Sequence, residues 1–206
     1  MSITEILIII NILLFVKLDS VSVYLNNRYR YFSAYLYSDL YEYPRFIISN
    51  FCHESLIQLV LNMIGFYIYG TALENIYKEQ FIYVIYSLVL LPNLIYVLIA
   101  ILEILLFNSA YIYHTPQLGF SNILFALRIL YYIETRQLPN YFSTNIINLV
   151  WYDALETQIV FTNANFVGQI SGVISGFLYK YLEQNIWILL ISFTLNCFYI
   201  KIKKKY

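Results

Sequence analysis

Residues 119–127 open an apolar run with a glycine and a serine, in the order Gly-Phe-Ser-Asn-Ile-Leu-Phe-Ala-Leu. Held inside a membrane by such a helix, Ser121 is either an ordinary helix residue or a nucleophile for acyl transfer. Serine is common in membrane helices and a Gly-x-Ser spacing arises by chance, so the motif alone favours the structural role. What Ser121 does therefore depends on the side chains that other segments bring to it.

Two amide side chains, Gln58 and Asn62, lie four residues apart in another apolar run, so both project from one face of a helix. Amides are costly inside a membrane and normally face the interior of a bundle or a wet cavity. They either hydrogen-bond a neighbouring helix or donate hydrogen bonds to a bound group. Taken by themselves they favour the first role.

A later apolar run carries small residues on one face, namely Gly168, Ser171, Gly172, Ser175 and Gly176. Gly172 and Gly176 have the G-x-x-x-G spacing that lets another helix approach to backbone contact. The stripe predicts close helix packing, but it does not say what the packing is for.

The composition decides what kind of chain holds these residues. Of its 206 residues, 61% are hydrophobic and 12% are charged, and the mean hydropathy is +0.66. A soluble domain is about half apolar and about a quarter charged. The apolar residues fall into blocks of roughly 16 to 25, the length that crosses a membrane. The sequence therefore predicts an all-α, polytopic membrane helical bundle.

Charge and cysteine usage argue against several other classes of function. The formal net charge is zero, so no basic surface suggests a nucleic-acid partner. Cys52 and Cys197 lie far apart and match no metal-ligand spacing, and we expect neither a metal nor a cofactor. A small transporter or channel is disfavoured because the intramembrane polar residues show no inverted-repeat pattern.

Six membrane helices are predicted: the first has its core at 6–16, and the others span about 55–73, 81–102, 119–133, 145–161 and 166–181. Pro92 lies inside the third, where membrane helices tolerate proline because neighbours satisfy the freed carbonyl. The Tyr-rich stretch 19–50 is predicted to lie at the membrane interface. The last apolar run, 186–200, precedes four lysines and is either a short terminal segment or a seventh span. We divide the chain into a transmembrane domain, 1–183, and a terminal segment with a basic tail, 184–206.

In their order along the chain, these motifs resemble one family, the rhomboid intramembrane serine proteases. The similar segments are Tyr43-Pro44-Arg45-Phe46 with Ser49, Phe51 and His53; Asn62-Met63 with Gly70 and Leu73-Glu74; Gly119-Phe120-Ser121 with Phe125-Ala126-Leu127; and Phe166 with Gly168, Gly172 and Gly176. The sequences of these motifs are most similar to those of the endoplasmic-reticulum rhomboid-like protein 4 type. That type shares Gly-Phe-Ser-x-x-Leu-Phe-Ala-Leu and a tryptophan two residues before an acidic residue, here Trp151 and Asp153. The resemblance implies a six-helix core, with the last apolar run as a candidate seventh segment.

The resemblance also implies acyl transfer by a serine and a histidine, with Ser121 attacking the scissile carbonyl and the histidine taking its proton. The family's histidine lies three residues before the first of the paired glycines on the sixth helix, and here that position is Gln169. Glutamine has no group that titrates near neutral pH, so it cannot act as a general base. The chain has two histidines, His53 and His114, and none follows residue 114. His114, in the segment leading to Ser121, is a weak candidate for a substitute base.

Around the serine, the resemblance assigns further roles. Asn62 matches the family's oxyanion donor, and Gln58 replaces a second histidine while keeping an NH2 group that donates hydrogen bonds. Asn122 stands where the family has a glycine and adds bulk there. His53 matches a position with an accessory role. The glycines assigned to helix packing are Gly119, Gly172 and Gly176.

Together these observations predict a catalytically impaired rhomboid, a pseudoprotease that binds transmembrane client proteins in quality control or trafficking. The alternative is an active serine endopeptidase that uses Ser121 with an atypical base. The predicted partners are transmembrane client or substrate proteins and membrane lipids. The terminal Lys203-Lys204-Lys205-Tyr206 resembles a dilysine retrieval signal, which favours the endoplasmic reticulum membrane.

Overall fold

The structure is a computed structural model, and it describes residues 1–25, 47–53, 55–109, 119–135 and 166–182. All the regular secondary structure in these residues is helical, as predicted. The helices are α1 Ile3–Leu25, α2 Leu56–Tyr77, α3 Phe81–Phe107, α4 Ser121–Glu134 and α5 Phe166–Leu182, and a 3-10 turn, Lys78–Gln80, joins α2 to α3.

Local sequence explains where α2 begins and ends. The Ser55 side chain accepts a hydrogen bond from the backbone N–H of Gln58 at 3.2 Å and so satisfies one of the free donors at the helix start. Lys78 has a φ of 50°, which ends α2 at Tyr77 and turns the chain into the 3-10 turn. The helix therefore runs one turn beyond the predicted end at residue 73.

In the part of the chain that the structure describes, one helical stretch is long and apolar enough to cross a membrane. It is Leu56–Phe107, 52 residues that comprise α2, the 3-10 turn and α3. As predicted, Pro92 lies inside α3, and the structure has it buried. The helix continues past the predicted end of this span, near residue 102, to Phe107, and the Glu103 carboxylate accepts a hydrogen bond from Ser109 Oγ at 2.8 Å.

The first helix is longer than its predicted core, 6–16, because α1 continues to Leu25. Residues 17–25 are more polar, but they contain no glycine or proline to interrupt a helix. The predicted fifth span, 145–161, and the terminal run, 186–200, lie outside the described residues, as does most of the predicted interfacial stretch.

The core forms where α4 packs between α2 and α5, while α5 also packs on α3 and α1 on α2. Its fully buried side chains are large and apolar, and they include Phe66, Phe81, Leu88, Phe120, Ile123 and Leu127. Lipid tails are as apolar as these side chains, so dispersion contacts from close packing are what hold such helices together.

Contacts at both ends of the bundle show that α2, α4 and α5 run in the same direction. Near the start of α2, the Gln58 amide touches Gly119, which precedes α4. At their other ends, Tyr77, Glu134 and Lys180 are hydrogen-bonded to one another through the Glu134 carboxylate. We call the two ends the site end, where α2, α4 and α5 begin, and the opposite end, where they finish.

Candidate active site

Gly119 gives the chain its path into α4. Its φ of +103° lies in the region that favours glycine, and its N–H donates to the Ser49 carbonyl at 3.0 Å. A Cβ at this position would stand 2.8 Å from Nε2 of Gln58 and 3.8 Å from Nδ2 of Asn62. Both amides therefore lie beside the residue that leads into the serine, and the packing role predicted for Gly119 is a close approach to these side chains.

Ser121 is the first residue of α4 and is partly exposed. Its neighbour Phe120 is fully buried, with its ring centroid 4.7 Å from that of Phe66 and 5.9 Å from that of Phe51. These ring contacts fix the start of the helix and, with it, the serine backbone. Within the described residues, no hydrogen bond joins Ser121 Oγ to another group.

The Asn122 side chain, next to the serine, makes two hydrogen bonds. Its Nδ2 donates to Oδ1 of Asn50 at 3.0 Å, and its Oδ1 accepts from the backbone N–H of Ile123 at 2.7 Å. Asn50 in turn donates to the Val89 carbonyl at 3.5 Å, so this pair joins α4 to α3. The side chain predicted to add bulk thus fastens the start of α4, and no spacing in the sequence links positions 50 and 122.

The glycines of α5 set its register against α4. A Cβ on Gly172 would overlap the Asn122 carbonyl, and a Cβ on Gly176 would lie 2.7 Å from the Ala126 carbonyl. Gly172 and Gly176 thus face positions 122 and 126 in the same order, so α4 and α5 are parallel. Gln169 lies one turn before Gly172 on the same side of α5, which puts it level with the start of α4.

Two amides at this end, those of Gln169 and Asn62, are buried and carry polar atoms without partners among the described residues. Gln169 is 2% exposed and Asn62 is 7% exposed. Neither Oε1 nor Nε2 of Gln169 has a hydrogen-bond partner among the described residues, and the same holds for Nδ2 of Asn62. An unsatisfied buried polar group destabilises a fold by about 1–3 kcal/mol, so such groups are few in native proteins and each calls for an explanation.

His53 lies just before α2 in the segment whose Ser49 carbonyl accepts from Gly119. Burial lowers the pKa of His53 to about 4, against a smaller opposing influence of the Phe51 backbone. Its ring is therefore neutral at pH 7 and a weak base. Neither ring nitrogen makes a well-formed hydrogen bond with a described residue.

His114, the candidate substitute base, lies outside the described residues, as do the motif residues Trp151 and Asp153. Over the described ranges, no group of three or more His, Cys, Asp or Glu side chains comes together as metal ligands.

Comparisons with known proteins identify relatives of the chain. The profile of the Rhomboid domain matches residues 41–185, which include Asn62, Ser121 and Gln169. The chain is 27% identical over 161 residues to Rhomboid-like protein 14, mitochondrial, of Arabidopsis thaliana, covering 74% of this chain and 47% of that protein. It is 27% identical over 146 residues to Rhomboid-like protein 15 of the same plant, covering 66% of this chain and 36% of that protein. The chain thus spans less than half the length of each of these relatives.

Proposed function

The chain belongs to the rhomboid family, and from that premise we propose that this integral membrane protein is a catalytically impaired member that binds transmembrane segments of client proteins. The observation that carries the proposal is Gln169, buried on α5 at the level where α4 begins. Resemblance assigns this position to the family's histidine base, and an amide cannot take the Ser121 proton. In a serine protease, loss of the base lowers turnover by about a million-fold.

Binding, unlike proton transfer, needs only groups that are still present. The amides of Gln58 and Asn62 lie beside Gly119, and NH2 groups in this place donate to a carbonyl oxygen whether or not it is being attacked. Ser121 and Gln58 are partly exposed, so this side of the site is open. The scaffold of the site therefore supports the holding of a client chain without its cleavage.

The competing function is an active endopeptidase in which another histidine serves Ser121. One observation favours His53 for that role: its segment is held to the start of α4 by the bond from Gly119 to Ser49. Against it stand the pKa of about 4 and the absence of any hydrogen bond between His53 and Ser121 in the described residues. A base must lie within hydrogen-bond reach and be oriented by a third group.

A fluorophosphonate probe separates the two functions, because it labels a serine only when a base activates it. We expect the purified protein to label no faster than Ser121→Ala. Labelling that Ser121→Ala abolishes would overturn the proposal. In that case His53→Ala and His114→Ala, tested separately, identify the base by which of them removes the signal.

We further propose the endoplasmic reticulum membrane as its location, on the basis of the resemblance of residues 119–127, Trp151 and Asp153 to the endoplasmic-reticulum rhomboid-like protein 4 type. One relative carries the word mitochondrial in its name, which is a statement about that plant protein. A fluorescently tagged chain, viewed in cells beside markers of both organelles, tests the assignment. We expect reticular fluorescence that coincides with the endoplasmic reticulum marker, and mitochondrial fluorescence would refute the assignment.

A further inference from the structure

Arg128 places a permanent positive charge in the middle of α4. It is the eighth of the 14 residues of that helix and is partly exposed. Its Nε donates to Tyr69 Oη on α2 at 3.1 Å, and its guanidinium carbon lies 5.1 Å from the centre of the Tyr69 ring and 6.0 Å from that of Phe125. The rings attract the cation but carry no negative charge. A charge at this depth in a membrane is normally paired with an opposite charge.

The depth of Arg128 limits where that negative charge comes from. Lipid phosphates lie at the membrane surface, about 15 Å from its centre, which is farther than an arginine side chain reaches. Phe125, which the guanidinium contacts, lies one turn nearer the site end, so the side chain does not extend towards the opposite end. From α2 to α4, the carboxylates of the described residues stand near helix ends or in the 3-10 turn, and they are Glu74, Glu79, Glu103 and Glu134. A segment that crosses the membrane beside α4 is the remaining source.

Arg128 shares a face of α4 with Ser121, which lies seven residues, or about two turns, before it. The face of α4 that contacts α2 carries Phe120, Leu124 and Tyr131. The face that contacts α5 carries Asn122, Ala126 and Ile129. At 3.6 residues per turn, Ser121 and Arg128 fall between these two faces and point to the gap between α2 and α5.

The chain has to cross the membrane once more between α4 and α5. Since α4 finishes at the opposite end and α5 begins at the site end, residues 136–165 return from one end to the other. The distance is about 21 Å, the length of α4 at 1.5 Å per residue. The apolar run 145–161 would cover about 25 Å as a helix, and it carries two carboxylates, Asp153 and Glu156. Charge complementarity therefore favours this run as the segment that covers Arg128.

We propose that residues 145–161 pack against the face of α4 that carries Ser121 and Arg128, and that Asp153 forms an ion pair with Arg128. Asp153 is the middle residue of its run and Arg128 stands at the middle of α4, so the two have the same depth when both segments are centred in the membrane. Glu156 would lie one turn nearer the site end. A guanidinium binds a carboxylate through two parallel N–H donors. The pair anchors a segment that passes beside Ser121, whether or not the serine is active.

A double-mutant cycle on the purified full chain in detergent tests the ion pair. The variants are Arg128→Met, Asp153→Asn and the two combined, with Glu156→Gln as the matched control, and the equilibrium constant for unfolding is measured. Each single variant leaves one charge without its partner, so we expect each to raise that constant about a hundredfold, less than for a fully buried pair. The combined variant should raise it less than about tenfold, because both charges are gone.

Three results of this cycle would overturn the inference. If the two single effects multiply in the combined variant, the residues do not interact. If Arg128→Met destabilises the protein and Asp153→Asn does not, the guanidinium pairs with a client carboxylate or a lipid phosphate. If Arg128→Met is coupled to Glu156→Gln in place of Asp153→Asn, the wrong carboxylate has been assigned.

Cross-linking of cysteine pairs in native membranes checks the contact without unfolding the protein. A short bismaleimide should join Arg128→Cys to Asp153→Cys, with the linked peptides identified by mass spectrometry. The control is Glu79→Cys with Asp153→Cys, because Glu79 is exposed in the 3-10 turn at the opposite end. We expect at least a tenfold higher yield for the first pair, the margin of a distinct contact over chance encounter. Equal yields for the two pairs would overturn the inference.

Discussion

The two ends of the bundle differ in whether their polar side chains have hydrogen-bond partners. At the opposite end, the Glu74 carboxylate accepts three hydrogen bonds from the start of α1, from the backbone N–H groups of Ile3 and Thr4 at 2.7 and 3.0 Å and from Thr4 Oγ1 at 2.6 Å. Glu134 accepts from Tyr77 Oη and Lys180 Nζ, each at 2.6 Å. These carboxylates tie four helices together.

At the site end, Gln169, Asn62 and His53 are buried and carry polar atoms that no described residue satisfies, and further such atoms occur along α1 and α3, on Asn11, Ser87 and Asn93. Polar side chains therefore stabilise the opposite end, where they are hydrogen-bonded, and destabilise the site end, where the described residues leave them unsatisfied. Because natural proteins retain unsatisfied groups mainly where function requires them, the comparison points to the site end as the place where a ligand binds.

Gly172→Ala should have the largest effect on the unfolding free energy, because it separates α4 from α5 at the site end alone. Its Cβ would overlap the Asn122 backbone carbonyl, which cannot move aside as a flexible side chain does. We expect a loss of about 3 kcal/mol in unfolding free energy, at the upper end for overpacking. Unfolding in detergent measures it, with the exposed Ile170→Ala as control. A loss below about 1 kcal/mol would contradict the close contact of these helices.

His53 makes the site end sensitive to pH. Its pKa falls from 6.5 in the unfolded chain to about 4 when folded. The unfolded chain therefore binds the proton first, and the stability is fully present above pH 6.5 and is lost as the pH falls towards 4. The loss amounts to about 3 kcal/mol, at 1.36 kcal/mol per pKa unit. The unfolding free energy, plotted against pH from 7.5 to 4, should depend less on pH in His53→Gln than in wild type. Equal slopes in wild type and His53→Gln would contradict the burial of the ring.

The opposite end is tested by Glu134→Gln, which removes the charge that Lys180 faces. The side chains of Lys180 and Glu134 are 24% and 17% exposed, so the pair is neither fully buried nor freely solvated. We expect a loss of about 2 kcal/mol, less than for a fully buried pair because water screens this one. Glu79→Gln, in the exposed turn nearby, should change the unfolding free energy by less than about 0.5 kcal/mol. Equal effects of the two variants would show that the ion pair contributes nothing.

Gln169→Met gives the smallest effect, with the opposite sign. Methionine has nearly the same length and no polar atoms that need partners, so the variant should be about 1–2 kcal/mol more stable than wild type. The same unfolding assay measures it alongside Gln80→Met, at an exposed position of the 3-10 turn, which should leave the unfolding free energy unchanged. A destabilised Gln169→Met would mean that the amide is satisfied in the folded protein, and the contrast between the ends would disappear.

Much of the site could be predicted from the sequence because its residues lie in local motifs. The four-residue spacing of Gln58 and Asn62 put both on one face of α2, and the structure has both beside Gly119. The G-x-x-x-G spacing predicted a backbone contact, which Gly172 and Gly176 make with α4. Such features can be predicted because residues three or four positions apart lie on the same face of a helix.

The contacts that join distant segments could not be predicted in this way. Glu74 with Thr4, and Asn122 with Asn50, are pairs 70 and 72 residues apart. Each partner is an ordinary polar residue in its own segment, and only the packing of the helices brings the pair together. That Gln169 has no partner among the described residues is equally invisible in the sequence, because it depends on which groups the packed helices bring near it.

The central claim is that residue 169 keeps Ser121 silent, and the labelling rate of Gln169→His with a fluorophosphonate probe tests it most directly. A restored base should raise labelling about a hundredfold above the wild-type background, the lower range of general-base catalysis, and the rise should require Ser121. The double variant Ser121→Ala, Gln169→His should remain unlabelled. If wild type and Gln169→His label at the same rate, and Ser121→Ala abolishes both signals, residue 169 does not control the serine and the account is wrong.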